Sequence, residues 1–366
     1  MPTFPVKTGK FEFFYAAPEA ADWRCNMIAG VLLAPGKVEI TEFPEPPMGE
    51  DCVKVAVAWC GLCGTDFHKF AGKAGSRPVT YPVPLGHEIS GVVAEVGPKV
   101  TGFKVGDRVT VDPNWSCGHC YYCQDGKRHL CENSRGVVKG MATYICPPVE
   151  NVYHIPDSLS LREAALTEPL GCCLHGMDLM DVRLGETVAI VGMGAIGSLM
   201  LQLCAHSAAG QIIIVEPEES KRELAMKMGA SLFINPKEED PKEAIARAGI
   251  RVDKVMECGG IPATIETALD IAGRGATVVL FGVAAPEARV AFKPYEAFTK
   301  ELVIKTSYIN PGTTRRAIDL LACGAIDTSL AISRQLELEE LPEEMATRRF
   351  SRLGKVLVRV DKNTKD

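Results

Sequence analysis

Three features are absent from this sequence of 366 residues, and each excludes a class of protein. No apolar stretch reaches the roughly 18 to 20 residues that a helix needs to cross a bilayer, so no membrane partner is expected. Basic residues are not in surplus: 40 Lys and Arg stand against 46 Asp and Glu, a net charge of −6, which argues against a nucleic-acid-binding surface. The stretch from Met1 to Met27 has scattered charges and no apolar run ahead of a small-residue cleavage site. Export is therefore not expected, and the reducing cytoplasm is the expected location.

Cysteine, by contrast, is plentiful, with 14 in the chain. In a reducing compartment clustered cysteines are expected to ligate metal, and the isolated Cys25, Cys52, Cys146, Cys204 and Cys323 to be small buried hydrophobes. Cys117, Cys120, Cys123 and Cys131 form the tight cluster, with turn residues between them. Four thiolates in a closed tetrahedron suit a structural Zn²⁺. A bacterial iron–sulfur motif needs its fourth cysteine after three residues and a proline next; here the gap is seven residues and Glu132 follows.

A chain of this length exceeds one typical core, and its texture changes once. From Met27 to about Pro148 it shows short β-rich runs (Val53 to Ala58, Ile89 to Val96, Arg108 to Val111) separated by Gly and Pro turns. Ser160 to Asp181 has helical spacing, and strands then alternate with helices to about Ile309, the pattern of βαβ units on a parallel sheet. Thr313 to Ala322 reads as a helix and Lys355 to Val360 as a last strand. The aromatic cluster Phe11, Phe13, Phe14 and Tyr15 is expected to pack on the body or on a partner subunit.

Within the second texture, the buried-strand pattern Val188 to Val191 runs into Gly192-Met193-Gly194-Ala195-Ile196-Gly197, followed by apolar residues at helical spacing. Glycines here let the backbone turn tightly and approach a pyrophosphate at a helix N-terminus. A second strand, Ile212 to Val215, ends at Glu216, nineteen residues after the last glycine. A carboxylate there accepts from ribose hydroxyls and repels a 2′-phosphate, which favours NAD(H) over NADP(H). Lys221 either contacts the same ribose or is a solvated helix lysine.

A second set of metal-binding residue types lies upstream. Cys63-Gly64-Thr65-Asp66 with His68 follows one β-run, and Gly86-His87-Glu88 follows another. Thiolate, imidazole and carboxylate are the ligands of a catalytic zinc with one open position. Glu168, in Glu168-Pro169-Leu170 at the junction of the two textures, is a third candidate, placed to face a cleft between domains.

Taken in order, these motifs resemble the zinc-dependent medium-chain alcohol dehydrogenases, in the branch of sorbitol-like polyol and threonine dehydrogenases. The resemblance covers nearly everything from Met27 onward. It implies an α/β protein with a GroES-like β-rich catalytic domain over 1–176 and 312–366, residues 1–26 being an N-terminal extension. A Rossmann NAD-binding domain, a doubly wound parallel sheet, would span 177–311, in a homo-oligomer, dimer or tetramer. Cys63 and His87 resemble the fixed ligands of the catalytic zinc. Glu168 and Glu88 resemble the family's two further carboxylates near it, and which of them is bound at rest stays open. Asp66 resembles the carboxylate that orients the zinc-bound histidine, and Thr65 with His68 the proton relay. By the same register Cys60 is a strand-end residue, and Cys172 and Cys173 are off the metal.

What the resemblance implies is oxidation of a secondary alcohol by hydride transfer to NAD, with two zinc ions per chain, one catalytic and one structural. The segment Ser307 to Pro311 resembles the polyol branch more than the threonine branch, with amino alcohols as the alternative substrates. Phe67, Trp115 and Arg135 are candidate pocket residues. A zinc-ribbon binding protein without catalysis would account for the four cysteines, but not for the glycine loop or for Cys63, His87 and Glu168.

Overall fold

The computed structural model describes residues 26–73, 79–362 and 364. Cys25 and the aromatic cluster of Phe11, Phe13, Phe14 and Tyr15 lie outside the described residues.

The β-rich part forms a seven-stranded sheet in the order Val152–His154, Arg108–Val111, Glu88–Val96, Val53–Gly61, Lys355–Arg359, Ile332–Glu337, with Tyr144–Ile145 paired onto Val53–Gly61. Successive side chains of a strand point to opposite faces. Val53, Val55 and Val57 therefore share one face, and they enter the same core as Ile89, Val93, Val109 and Val111. The first strand runs on to Gly61, past the expected end at Ala58, and the second opens at Glu88. That extension pairs Gly61 with Glu88 and Cys60 with Ile89. The last strand, Lys355–Arg359, lies antiparallel on the other side of Val53–Gly61, with Leu357 opposite Gly61. The C-terminal segment thus returns to the sheet that carries the N-terminal motifs.

The second texture is a six-stranded sheet in the order Leu232–Ile234, Gln211–Val215, Thr187–Val191, Lys254–Glu257, Thr277–Leu280, Val303–Thr306, every pairing parallel. Helices cover both faces of such a sheet, which is why Val188 to Val191 read as an unbroken apolar run. Strand order reverses around Thr187–Val191, and ligands of doubly wound sheets bind beyond the carboxyl ends of the strands at that reversal.

The helical stretch from Ser160 is two helices, Leu161–Ala164 and Thr167–Met180. Ser160 caps the first, its hydroxyl accepting from the Glu163 N–H at 3.2 Å. Pro169 is tolerated in the first turn of the second, where no N–H partner is needed, and Glu168 is buried beside it. Of the isolated cysteines, Cys52, Cys146 and Cys204 are buried as expected, but Cys323 is exposed. It stands just past the end of helix Thr314–Ala322, ahead of Gly324, where no apolar face of the helix continues to cover it.

Candidate active site

Cys63 is the N-cap residue of the short helix Gly64–Phe70, and His87 precedes strand Glu88–Val96. Pairing of the two preceding and following strands brings them together. Cys63 Sγ, a ring nitrogen of His87 and a carboxylate oxygen of Glu88 all lie within 4.8 Å of one another. Asp66 ties the loops that carry them: its Oδ2 accepts from the Cys63 N–H at 3.1 Å and its Oδ1 from the Gly86 N–H at 3.2 Å. Its Oδ1 also stands 3.9 Å from His87 Nδ1, within ion-pair reach of a protonated ring.

Glu88 has a partner that the motifs did not reveal. Lys355 Nζ lies 2.7 Å from both Glu88 carboxylate oxygens and donates to the Leu62 carbonyl at 3.1 Å. Both side chains are almost completely buried, Lys355 at 2% and Glu88 at 1% exposure. Burial alone would lower the Lys355 pKa; Glu88, with Cys63 and Glu168, outweighs it and holds the ammonium above its ordinary value. A Cβ on Gly61 would collide with Glu88 Oε2, so the carboxylate needs that glycine. The signal available in the sequence was a lysine directly ahead of the apolar run Val356-Leu357-Val358.

Glu168 faces the same groups from helix Thr167–Met180. Burial pushes its carboxyl up to about 8; His87 pulls it down, and Glu88 and Cys63 add to the rise. Cys172, one turn on, donates its thiol to Glu168 Oε1 at 3.5 Å. A thiolate, an imidazole and carboxylates converging from three elements fit a zinc ion with an open position. Bound there, zinc supplies Lewis acidity that lowers the pKa of a coordinated hydroxyl.

The four-cysteine lobe fits zinc by distance. Zn–S bonds of about 2.3 Å at tetrahedral angles separate sulfurs by about 3.8 Å; Cys117–Cys123, Cys120–Cys131 and Cys131–Cys117 are 4.0, 3.8 and 3.5 Å apart. Backbone N–H groups of Cys117, Cys120 and Asn133 point at these sulfurs. The backbone of His119 leads in pulling the Cys117 thiol down to about 5. All four positions are protein, which leaves this centre no room for substrate.

Thr65 and His68, three apart on helix Gly64–Phe70, share a face. Burial, then Lys73 and Arg348, lower the His68 pKa and favour its neutral ring. Of the three candidate pocket residues, Phe67 is buried in the core with Arg348 stacked on its ring at 4.4 Å, while Arg135 stacks on Trp115 at 4.4 Å. Cys60 is buried on its strand and Cys173 is buried with its thiol directed to the Ile196 carbonyl.

At the switch point, Gly192 takes a φ of 95°, and a Cβ on Gly197 would strike the Gly192 carbonyl. A Cβ on Gly194 would meet no protein atom, which leaves an open approach for a diphosphate at the start of helix Ala195–Ala205. Glu216 folds onto this loop, Oε2 accepting from the Met193 N–H at 2.6 Å. Lys221 is buried, donating to the Met193 carbonyl at 2.9 Å with its Nζ 3.6 Å from Glu216. The solvated reading of Lys221 is thereby corrected: the turn Glu219–Lys221 directs the side chain inward, where it braces the loop.

A metal cluster on a β-domain and a dinucleotide loop on a parallel sheet define the class: a zinc-dependent oxidoreductase that uses a nicotinamide cofactor. Comparison with known proteins agrees. Residues 49–157 match the alcohol dehydrogenase GroES-like domain and residues 195–323 the zinc-binding dehydrogenase family. The chain belongs to the zinc-dependent medium-chain alcohol dehydrogenase family. It is 34% identical to the sorbitol dehydrogenase of Bacillus subtilis over 87% of this chain and 93% of that one. It is 32% identical to the L-threonine 3-dehydrogenase of Shewanella woodyi over 88% and 96%. A zinc-binding dehydrogenase of Sinorhizobium meliloti, solved bound to NADP, superposes with a TM-score of 0.86 at 38% identity, covering 92% of this chain and all of that one. No helix among the described residues is long and apolar enough to cross a membrane.

Proposed function

We propose that this protein oxidises secondary alcohols of the polyol or sugar-like class with NAD⁺ in the cytoplasm. The observation that carries the reading is the grouping of Cys63, His87 and Glu88 within 4.8 Å of one another, with the buried Glu168 carboxyl in electrostatic reach of all three. Cys63 and His87 are the fixed metal ligands, Glu168 stands on the substrate side, and Lys355 holds Glu88 in reserve. Cys117, Cys120, Cys123 and Cys131 hold the second zinc. The catalytic domain takes residues 1–176 and 312–366 and the nucleotide domain 177–311.

The Thr65 hydroxyl would accept the proton of the substrate hydroxyl, and a ring nitrogen of His68, on the same helix, would carry it on to solvent. A nicotinamide cofactor held at the glycine loop 192–197 would supply the acceptor for the hydride of the carbinol carbon. An NAD⁺-reduction screen over polyols, amino alcohols, sugar phosphates and cyclitols tests the reading. Turnover of polyols above the other classes is expected; turnover of none would overturn it. The nearly equal identity to the L-threonine enzyme makes amino alcohols the second class.

Glu216 supports NAD⁺, because its carboxylate sits at the glycine loop where a 2′-phosphate would have to enter. In Glu216→Ala, kcat/KM for NAD⁺ relative to NADP⁺ is expected to fall about 10- to 100-fold, the worth of one charged hydrogen bond. An unchanged ratio would remove Glu216 from cofactor selection.

The edge strand Val303–Thr306 pairs on one side only among the described residues. Val303 and Ile304 on it are exposed, as are Tyr295 at 78% and Phe298 at 80% on the adjoining helix Pro294–Lys300. An open edge flanked by apolar side chains favours pairing with a second copy, so the homo-oligomer is built on a dimer through this edge. Ile304→Asp combined with Phe298→Asp should sediment as a monomer; an unchanged sedimentation coefficient would place the contact elsewhere.

A further inference from the structure

Cys172 stands four residues after Glu168 on helix Thr167–Met180, one turn further along the same face. Its thiol donates to Glu168 Oε1 at 3.5 Å. The next residue, Cys173, is buried and turns its thiol to the Ile196 carbonyl, toward the nucleotide domain. Cys172 is partly exposed instead, and the charges of Glu168 and Cys63 act on it. Its side chain therefore borders the cleft that holds the catalytic cluster.

The backbone of the helix gives Glu168 no tether. A carboxylate in a first turn usually accepts from a nearby backbone N–H, but Pro169 has none and the Leu170 N–H donates to the Leu166 carbonyl at 3.0 Å. Leu170 itself is buried in the core, and Gly171 has no side chain to offer. Burial, with Glu88 and Cys63, disfavours charge on Glu168, and His87 and Lys355 favour it. A carboxylate so balanced turns easily, because its terminal torsion is broad and roughly twofold. The Cys172 thiol breaks that symmetry. With Oε1 engaged, the two oxygens are no longer equivalent, and the second keeps one direction.

We propose that Cys172 is a positioning residue for the reaction: its thiol holds Glu168 Oε1, so that the other carboxylate oxygen is presented to the metal centre of Cys63 and His87. The proposal rests on the zinc-dehydrogenase reading given above and adds what fixes the carboxylate on the substrate side.

Two variants test it. Cys172→Ala removes the donor, and Cys172→Ser keeps one. In steady-state oxidation of sorbitol, Cys172→Ala should lower kcat roughly tenfold with KM little changed, the effect of one lost hydrogen bond that matters in the transition state. Cys172→Ser should recover kcat to within about threefold of the unaltered protein. Cobalt(II) in place of zinc gives a readout independent of turnover, because its visible absorption reports the geometry of its ligands. Cys172→Ala should shift the bands of the ion at Cys63 and His87, and Cys172→Ser should leave them. The bands of the ion in the four-cysteine lobe should stay unmoved in both and serve as the reference. If no alcohol is oxidised, the substrate reading fails while the cobalt bands still decide: shifted in Cys172→Ala and kept in Cys172→Ser, they support the positioning role. Catalytic-site bands unmoved in both variants, or moved equally in both, would overturn it, since a cysteine that only packs does not distinguish a hydroxyl from a methyl by what it donates.

Discussion

Replacing Lys355 by methionine is expected to destabilise the folded protein by about 3–5 kcal/mol, the usual consequence of removing one partner of a buried ion pair. Lys355 Nζ is the donor to both oxygens of Glu88 and to the Leu62 carbonyl. The strand pairing of Gly61 with Glu88 leaves the carboxylate no route to water. In the variant Glu88 must stay as an unpaired buried charge, take up a proton, or turn toward Cys63 and His87. Urea denaturation of the zinc-loaded protein measures the loss. Adding Glu88→Gln to Lys355→Met should recover a substantial part of it, because the uncompensated charge is then gone. A loss below about 1 kcal/mol, the range of exposed ion pairs, would mean that the pair is solvated and holds nothing in place.

Cys63→Ser is expected to lower turnover about 10³-fold and zinc content from two ions per chain to one. Lewis acidity at the substrate oxygen is worth several kcal/mol, and each 1.36 kcal/mol is a factor of ten in rate. Serine offers a hydroxyl that stays protonated where the site needs a thiolate. The ion of the four-cysteine lobe should remain, because its four sulfurs, Cys117, Cys120, Cys123 and Cys131, are separate from Cys63. Elemental analysis beside steady-state rates checks both halves. Full turnover with two zinc ions retained would remove Cys63 from the catalytic centre.

Local patterns carried much of the site because their geometry is local. The glycine loop sits between a strand and a helix, so Gly192, Gly194 and Gly197 reported their own role through the turn they must make. Thr65, Asp66 and His68 lie within two helical turns of Cys63, and four cysteines within fifteen positions can meet in only a few ways. Lys221 was ambiguous for the same reason: a lysine five residues after Glu216 can point out or in, and its burial depends on how the turn lies against the loop.

Ligand types, the two textures, the cofactor loop and the family were therefore determined by the sequence alone, since each is written in spacings of a few residues. Only the tertiary structure shows that Lys355 holds Glu88, that Cys172 donates to Glu168, and that Asp66 bridges the N–H groups of Cys63 and Gly86. Glu88 and Lys355 are 267 positions apart and meet because the last strand pairs with Val53–Gly61. Strand pairing across such a separation leaves no period in the sequence, so a partner chosen by it becomes visible only when the sheet is closed.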